Sequence, residues 1–170
     1  IYNKIIMMDS SIPTKDLRIE DHLDDFNSVS DAWYKLLDSM PNRQVFYTPL
    51  WGKTWWRHLG SGQLHLLSIH YGEQIIGIAP LVRKARTVTL LGDKEVCDYL
   101  DVIITPGGEQ MALEALRKYG REQNIRVDLY PMHPESPFLT LIGAQMEQGD
   151  RKVSKENLDL TYIMEVPSTR

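Results

Sequence analysis

The stretch from Val96 to Tyr130 constrains this chain more than any other. It reads as an apolar strand over Val96 to Ile104, a Pro106-Gly107-Gly108 break, an amphipathic helix from about Glu109 to Gln123, and a second strand from Arg126 to Tyr130. Within the helix Ala112, Leu113, Ala115, Leu116 and Tyr119 share one face, while Glu114 and Lys118 pair at i, i+4 on the outer surface. A strand–helix–strand unit of this length implies a right-handed crossover with parallel neighbouring strands. It also gathers loop N–H groups and a helix N-terminus at one point, an arrangement suited to a phosphate or carboxylate.

The remainder of the chain supplies a sheet and two further helices. Leu17 to Glu20 is a short strand candidate, followed by a polar linker from Asp21 to Asn27. From about Ser30 to Met40 the residues Trp33, Leu36, Leu37 and Met40 fall on one helical stripe, with Ser28 or Ser30 as cap. Thr48 then suits an N-cap and Pro49 the first helical position, where its missing N–H would be unpaired in any case. That helix carries Trp51, Trp55, Trp56 and Leu59 on a stripe and stops at Gly60-Ser61-Gly62. Leu64 to Tyr71 and Gln74 to Val82 read as a hairpin turning at Gly72-Glu73, and Thr87 to Leu91 adds a third strand. Pro80 inside the hairpin implies an edge, a bulge or a ladder break. Phe138 to Met146 reads as a short helix and Asn157 to Val166 as a last strand. The expected class is α/β with a mixed central sheet flanked by helices, in a single domain covering 1–170.

Charge and composition narrow the partners. A formal net charge of −4 with acidic and basic residues interspersed argues against a nucleic-acid surface, which needs clustered Lys and Arg. No run approaches the roughly 18 apolar residues that span a bilayer. The single cysteine, Cys97, cannot form an intramolecular disulfide, so the core is expected to hold by packing and the default location is cytoplasmic. The absence of an initiator Met, with a strand-like run near the other end, gives the expectation of a fragment of a longer protein.

Side chains able to do chemistry are few. His58, His65 and His70 cluster in sequence, yet His65 and His70 fall on opposite faces of a strand, and His22 and His133 stand alone, so no metal site is expected. The same parity separates Asp98 from Asp101, which therefore are not a dyad. A carboxylate in an apolar strand must be paired, hydrogen-bonded or raised in pKa, leaving structural and functional roles open for each. Cys97 reads as a small buried hydrophobe. Trp51, Trp55 and Trp56 read as packing, with an exposed carbohydrate-binding platform as the competing reading.

Four spaced segments carry a family likeness. Val45-Phe46-Tyr47-Thr48-Pro49-Leu50-Trp51 with Trp55-Trp56, then Ile78-Ala79-Pro80-Leu81, Leu90-Leu91-Gly92 and Asp98-Tyr99-Leu100-Asp101, resemble the first half of the cellulose-biosynthesis-type (CelD-like) acetyltransferases. That family is similar to the Fem-type aminoacyltransferases and belongs to the GNAT superfamily of N-acetyltransferases. The resemblance spans roughly Trp33 to Val166. It implies two tandem GNAT-like domains, with this chain the N-terminal one and a C-terminal GNAT-like domain as its partner. It also implies transfer of an acyl group from acetyl-CoA or another acyl-CoA to an amine or hydroxyl of a sugar or peptide acceptor, as in polysaccharide biosynthesis.

On this resemblance Asp98, Tyr99 and Asp101 are acceptor-binding candidates, and Gly107, Gly108 and Glu109 are the cofactor-loop candidates. No catalytic residue is assigned. The superfamily's loop signature, Arg/Gln-x-x-Gly-x-Gly/Ala, is altered here to Thr105-Pro106-Gly107-Gly108-Glu109-Gln110. The leading basic residue is missing, Pro106 removes a donor and Glu109 places negative charge where a diphosphate would sit, which disfavours CoA at this loop. The alternative is a non-catalytic scaffold or acceptor-binding domain that supports a C-terminal catalytic half.

Overall fold

Continuous apolar runs in the central hairpin require cover on both faces of the sheet, and the chain supplies it. The structure, a computed structural model, describes residues 16–147. Strands β2 (Gln63–Tyr71) and β3 (Gln74–Lys84) form the expected antiparallel hairpin and are buried along nearly their whole length. Leu64 and Leu66 of β2 face helices α1 (Phe26–Ser39) and α2 (Pro49–Leu59), packing with Val29, Trp33, Leu37 and Trp55. Leu67 and Ile69 face the other way, in a core shared with Ala112, Leu116 and Tyr119 of α3 (Glu109–Glu122) and with Phe138 of α4 (Pro137–Glu147). Parity along one strand thus sorts the molecule into three layers.

Strand β1 (Leu17–Asp21) lies antiparallel on the outer side of β2, while β4 (Thr87–Leu90) pairs antiparallel with β3. The order is β1-β2-β3-β4-β6, with β6 (Arg126–Asp128) parallel to β4 and β5 (Ile103–Ile104) paired to β3. The sheet is therefore mixed and mostly antiparallel, with helices on both faces, as the sequence leads one to expect. The crossover through α3 is also present, although its parallel partner is β4 rather than β5.

Two expectations need correction. Helix α1 begins at Phe26 rather than near Ser30, because Asp25 caps it by accepting from the N–H groups of Asn27 and Ser28, so part of the expected linker is helical. The strand expected over Val96 to Ile104 is reduced to Ile103–Ile104, and the apolar residues before it belong to a loop. Thr48 and Pro49 behave as read, Thr48 Oγ1 accepting from Trp51 N at 3.2 Å. The strand expected over Asn157 to Val166 lies outside the described residues.

The shortened strand has a cause in β3. Because β2 occupies one side of β3, both β4 and β5 pair with the opposite side, β4 with Leu81 to Lys84 and β5 with Gly77 and Ile78. Between them sits Pro80, whose carbonyl accepts from Leu91 N at 2.9 Å. In an antiparallel ladder a residue's N–H and C=O point to the same neighbour, so the N–H that Pro80 lacks is missing on the β4/β5 side. There the partner strand leaves the sheet, turning at Gly92 (φ 137°), where a Cβ would lie 2.9 Å from Leu100 Cδ1. It rejoins at Ile103.

The excursion is held by its own contacts. The Asp93 carbonyl accepts from Cys97 N at 3.1 Å and Cys97 Sγ at 2.6 Å, and Leu100 N donates to Pro131 O at 2.6 Å. Burial pushes the Cys97 thiol up to about 11, consistent with a small packed side chain.

Trp33 joins the helical layer to the loop preceding α2: its ring is 1% exposed and its Nε1 donates to Tyr47 O at 2.7 Å. Trp33→Phe removes that donor and part of the packed volume. It is expected to lower stability by about 1–3 kcal/mol, read as a lower urea midpoint. An unchanged midpoint would show that this bond does not anchor the loop.

Candidate functional site

The excursion at Pro80 delivers one carboxyl to the interior. Asp101, the residue before Val102 and β5, is 6% exposed. Its Oδ1 accepts from Val102 N at 2.8 Å, and the Ser136 hydroxyl hydrogen-bonds the same carboxyl. Burial dominates these two stabilising bonds and raises Asp101 to about 7 from its ordinary 3.8.

Asp101 lines a cavity of about 350 Å³ where five parts of the chain meet. The end of α1 and its following turn contribute Met40 and Pro41, the 3-10 turn Val45–Tyr47 contributes Tyr47, and the start of α3 contributes Pro106 and Glu109. The segment leading into α4 brings His133, Glu135 and Ser136. Ser136 opens α4, accepting from Leu139 N at 3.2 Å, so the hydroxyl that caps the helix also faces Asp101. Tyr47 is raised well above its ordinary 10, by burial first and then by Asp101 and Tyr99, and stays a neutral donor at physiological pH. His133 Nδ1 accepts from Glu135 N at 3.1 Å, so in the neutral ring Nε2 carries the proton. The His133 ring stands edge-on to Tyr99, centroids 4.4 Å apart.

Of the three acceptor candidates, Asp101 is in this cavity and Tyr99 supports it through His133, whereas Asp98 is exposed on the excursion. With no strand beneath them, the two aspartates are parted by loop burial rather than by strand parity. Tyr47, His133 and Ser136 carried no sequence signal of a shared site, since each joins through tertiary contact alone. Ser136 three residues ahead of Leu139 is a cap spacing that the sequence does display.

The N–H groups of both loop glycines are engaged within the loop. Gly107, at φ 86°, donates its N–H to Glu109 Oε1 at 3.3 Å, and Gly108 N donates to Thr105 O at 2.9 Å. Pro106 has no N–H to give. A diphosphate would meet a carboxylate and two engaged donors, so the loop does not fit the CoA that the family resemblance implies.

Two other polar clusters are present, each leaving one buried ring nitrogen, His65 Nε2 or His70 Nδ1, without a hydrogen-bond partner. A second cavity, about 390 Å³ between β1 and α3, has Asp21, His65 and Tyr119 on its wall. There Asp21 Oδ2 receives His65 Nδ1 at 2.5 Å and Tyr119 OH at 3.3 Å, while Oδ1 accepts from Leu23 N. On the opposite sheet face Ser68 Oγ lies 2.8 Å from Nε2 of both His22 and His70. His65 and His70 thus occupy opposite faces, and among the described residues no group of three His, Cys, Asp or Glu side chains is placed to hold a metal. Trp55 is buried, with Trp51 and Trp56 partly buried against the core, which removes the exposed platform. No described helix is long and apolar enough to cross a membrane.

No protein-family model matches the chain, and no curated protein matches it in sequence at a significant level. Two structures of an aminoglycoside acetyltransferase from an uncultured soil metagenomic sample, in complex with sisomicin and with trehalose, resemble it. Each is 10% identical over 89% of this chain and 98% of that chain, with TM-scores of 0.46 and 0.44.

The raised Asp101 carboxyl has a thermodynamic signature. Below about pH 4 the group is protonated in both folded and unfolded chains and contributes nothing. Between about 4 and 7 the unfolded chain ionises first, so stability falls as pH rises, by on the order of 4 kcal/mol in total, and is flat above. Asp101→Asn keeps an acceptor for Val102 N and removes this loss. Urea unfolding should therefore show the variant gaining on the parent chain from pH 5 to pH 8; a pH-independent difference would refute the assignment.

Proposed function

We propose that this chain is the acceptor-binding domain of a GNAT-like acyltransferase, the N-terminal half of a two-domain protein. The observation that carries the reading is Asp101, a carboxyl poised near neutral pH on the wall of a cavity otherwise formed largely by apolar side chains. As carboxylate it takes a proton from the acceptor's nitrogen or oxygen. The freed lone pair then attacks an activated acyl carbon, and the donor's leaving group departs with the electrons of the bond that breaks. Tyr47, a neutral donor, and the Nε2–H of His133 stand on the same cavity for the acceptor or for the developing negative charge. Met40, Pro41 and Phe138 supply apolar wall to the same cavity.

A second reading, a domain that binds the acceptor and does no chemistry, is favoured by one observation, the self-satisfied Thr105–Gln110 loop. In either reading the acyl-CoA donor belongs to the full-length protein and is held by the C-terminal GNAT-like domain. The acceptor is an amine or hydroxyl of a sugar or peptide.

Acyl transfer from acetyl-CoA to a panel of amino sugars, sugars and peptides, followed by mass spectrometry, tests the reading. With turnover, the rate should rise with pH through about 7, and Asp101→Asn should cut it by about a hundredfold or more and abolish the inflection. Acceptor binding without product would select the second reading. Turnover that Asp101→Asn leaves unchanged would remove Asp101 from the chemistry.

A further inference from the structure

Strand β1 ends the sheet. Gly72 N donates to Asp16 O and His22 N donates to Leu66 O, so the even-numbered residues of this strand face β2 with their backbone groups. The alternate residues point the other way: the N–H and C=O groups of Leu17, Ile19 and Asp21 face the outer edge, where no strand lies among the described residues. Proteins commonly close such an edge with proline, a bulge, lysine or an inward-turned charge. Here β1 has neither proline nor lysine, and its register with β2 is unbroken. Its inward charge, Asp21, is engaged by His65 and Tyr119.

The side chains sort by the same parity. Arg18 and Glu20 share the face that carries His70 and Ser68, their charged ends 3.4 Å apart and each about half exposed. Leu17 and Ile19 lie on the α3 face, where both line the cavity between β1 and α3 and Ile19 is only partly buried.

From this we infer that β1 is the edge through which two copies of this chain pair, antiparallel about a two-fold axis at Ile19, to make one continuous sheet. In that register Ile19 meets its own counterpart and Leu17 meets the counterpart of Asp21, so every outward N–H and C=O of the strand gains a partner. Arg18 lies opposite Glu20 of the other copy, and Glu20 opposite Arg18, at the non-hydrogen-bonded positions where side chains across a ladder come closest. A slide of two residues in either direction, the smallest that keeps the outward groups paired, sets Arg18 against Arg18 or Glu20 against Glu20. The charge order of the strand therefore accepts one register with a second copy and repels the neighbouring ones. This pairing is independent of the acceptor site at Asp101.

Sedimentation velocity of the full chain at low salt, over about 10–500 µM, tests the pairing and should show a monomer–dimer equilibrium. Ile19→Pro removes only an outward N–H, leaves the bonds to β2 in place and should abolish the dimer. Arg18→Glu and Glu20→Arg each set like charges opposite one another twice in a symmetric dimer, and each should weaken association about tenfold. An equimolar mixture of these two variants should restore it, because every acidic position of one chain then faces a basic position of the other. Arg43→Glu, in the exposed loop after α1, controls for net charge and should change nothing. Urea midpoints close to the parent's confirm that the reversed chains fold. A parent chain that stays monomeric over the whole range would overturn the inference. So would dimers that survive both charge reversals, or a mixture that associates no better than either variant alone. Should Ile19→Pro fail to fold, the mixing experiment decides by itself.

Discussion

A missing hydrogen-bond donor in the middle of the sheet decides where this molecule can hold a site. Pro80 presents a carbonyl but no N–H to the strand beside β3, and that strand leaves the ladder at Leu91 and returns at Ile103. Every structural oddity of the region follows from that departure. Gly92 must turn sharply under Leu100, the Asp93 carbonyl gathers Cys97, and Leu100 docks on Pro131 rather than on β3. The returning chain brings Asp101 into the interior where the two helical layers and the start of α3 converge.

Burial then converts position into chemistry. The Asp21 carboxylate receives an imidazole, a phenol and a backbone N–H and is fully occupied in tying β1 to β2 and α3. Asp101, more deeply buried, has one backbone N–H and one hydroxyl and no cation, so the charged form is left under-stabilised and its pKa climbs. Tyr47 stands on the same cavity because Trp33 fixes its carbonyl from the helical layer. Two carboxyls in one small domain are therefore held differently, according to how many donors the fold brings to each.

Much of the architecture was legible in the residues. The Thr48-Pro49 cap, the Trp33-Leu36-Leu37 stripe, the hairpin at Gly72 and the Ala112-to-Tyr119 face of α3 each rest on contacts between near neighbours in sequence, so their signals are local. The segment Val96 to Val102 was misleading for a physical reason: although Val96 is exposed, Cys97, Leu100 and Val102 are buried, as strand residues would be, but in a core shared with Phe138 of α4 rather than in a ladder. The candidate loop was readable in its charge, since Glu109 and Pro106 stand in the sequence. Its internal hydrogen bond to Gly107 was not, because that bond depends on the turn's actual dihedrals.

What the sequence determined by itself is the set of elements, the two faces of the sheet and the altered anion loop, all properties of spacing and residue type within a few positions. Tertiary structure alone decided which polar groups meet. Tyr47, Asp101 and the segment holding His133 and Ser136 are separated from one another by tens of residues, and only the excursion opposite Pro80 brings them to one cavity. The raised pKa of Asp101 and the absence of a cation beside it depend on that meeting, because they are set by neighbours in space.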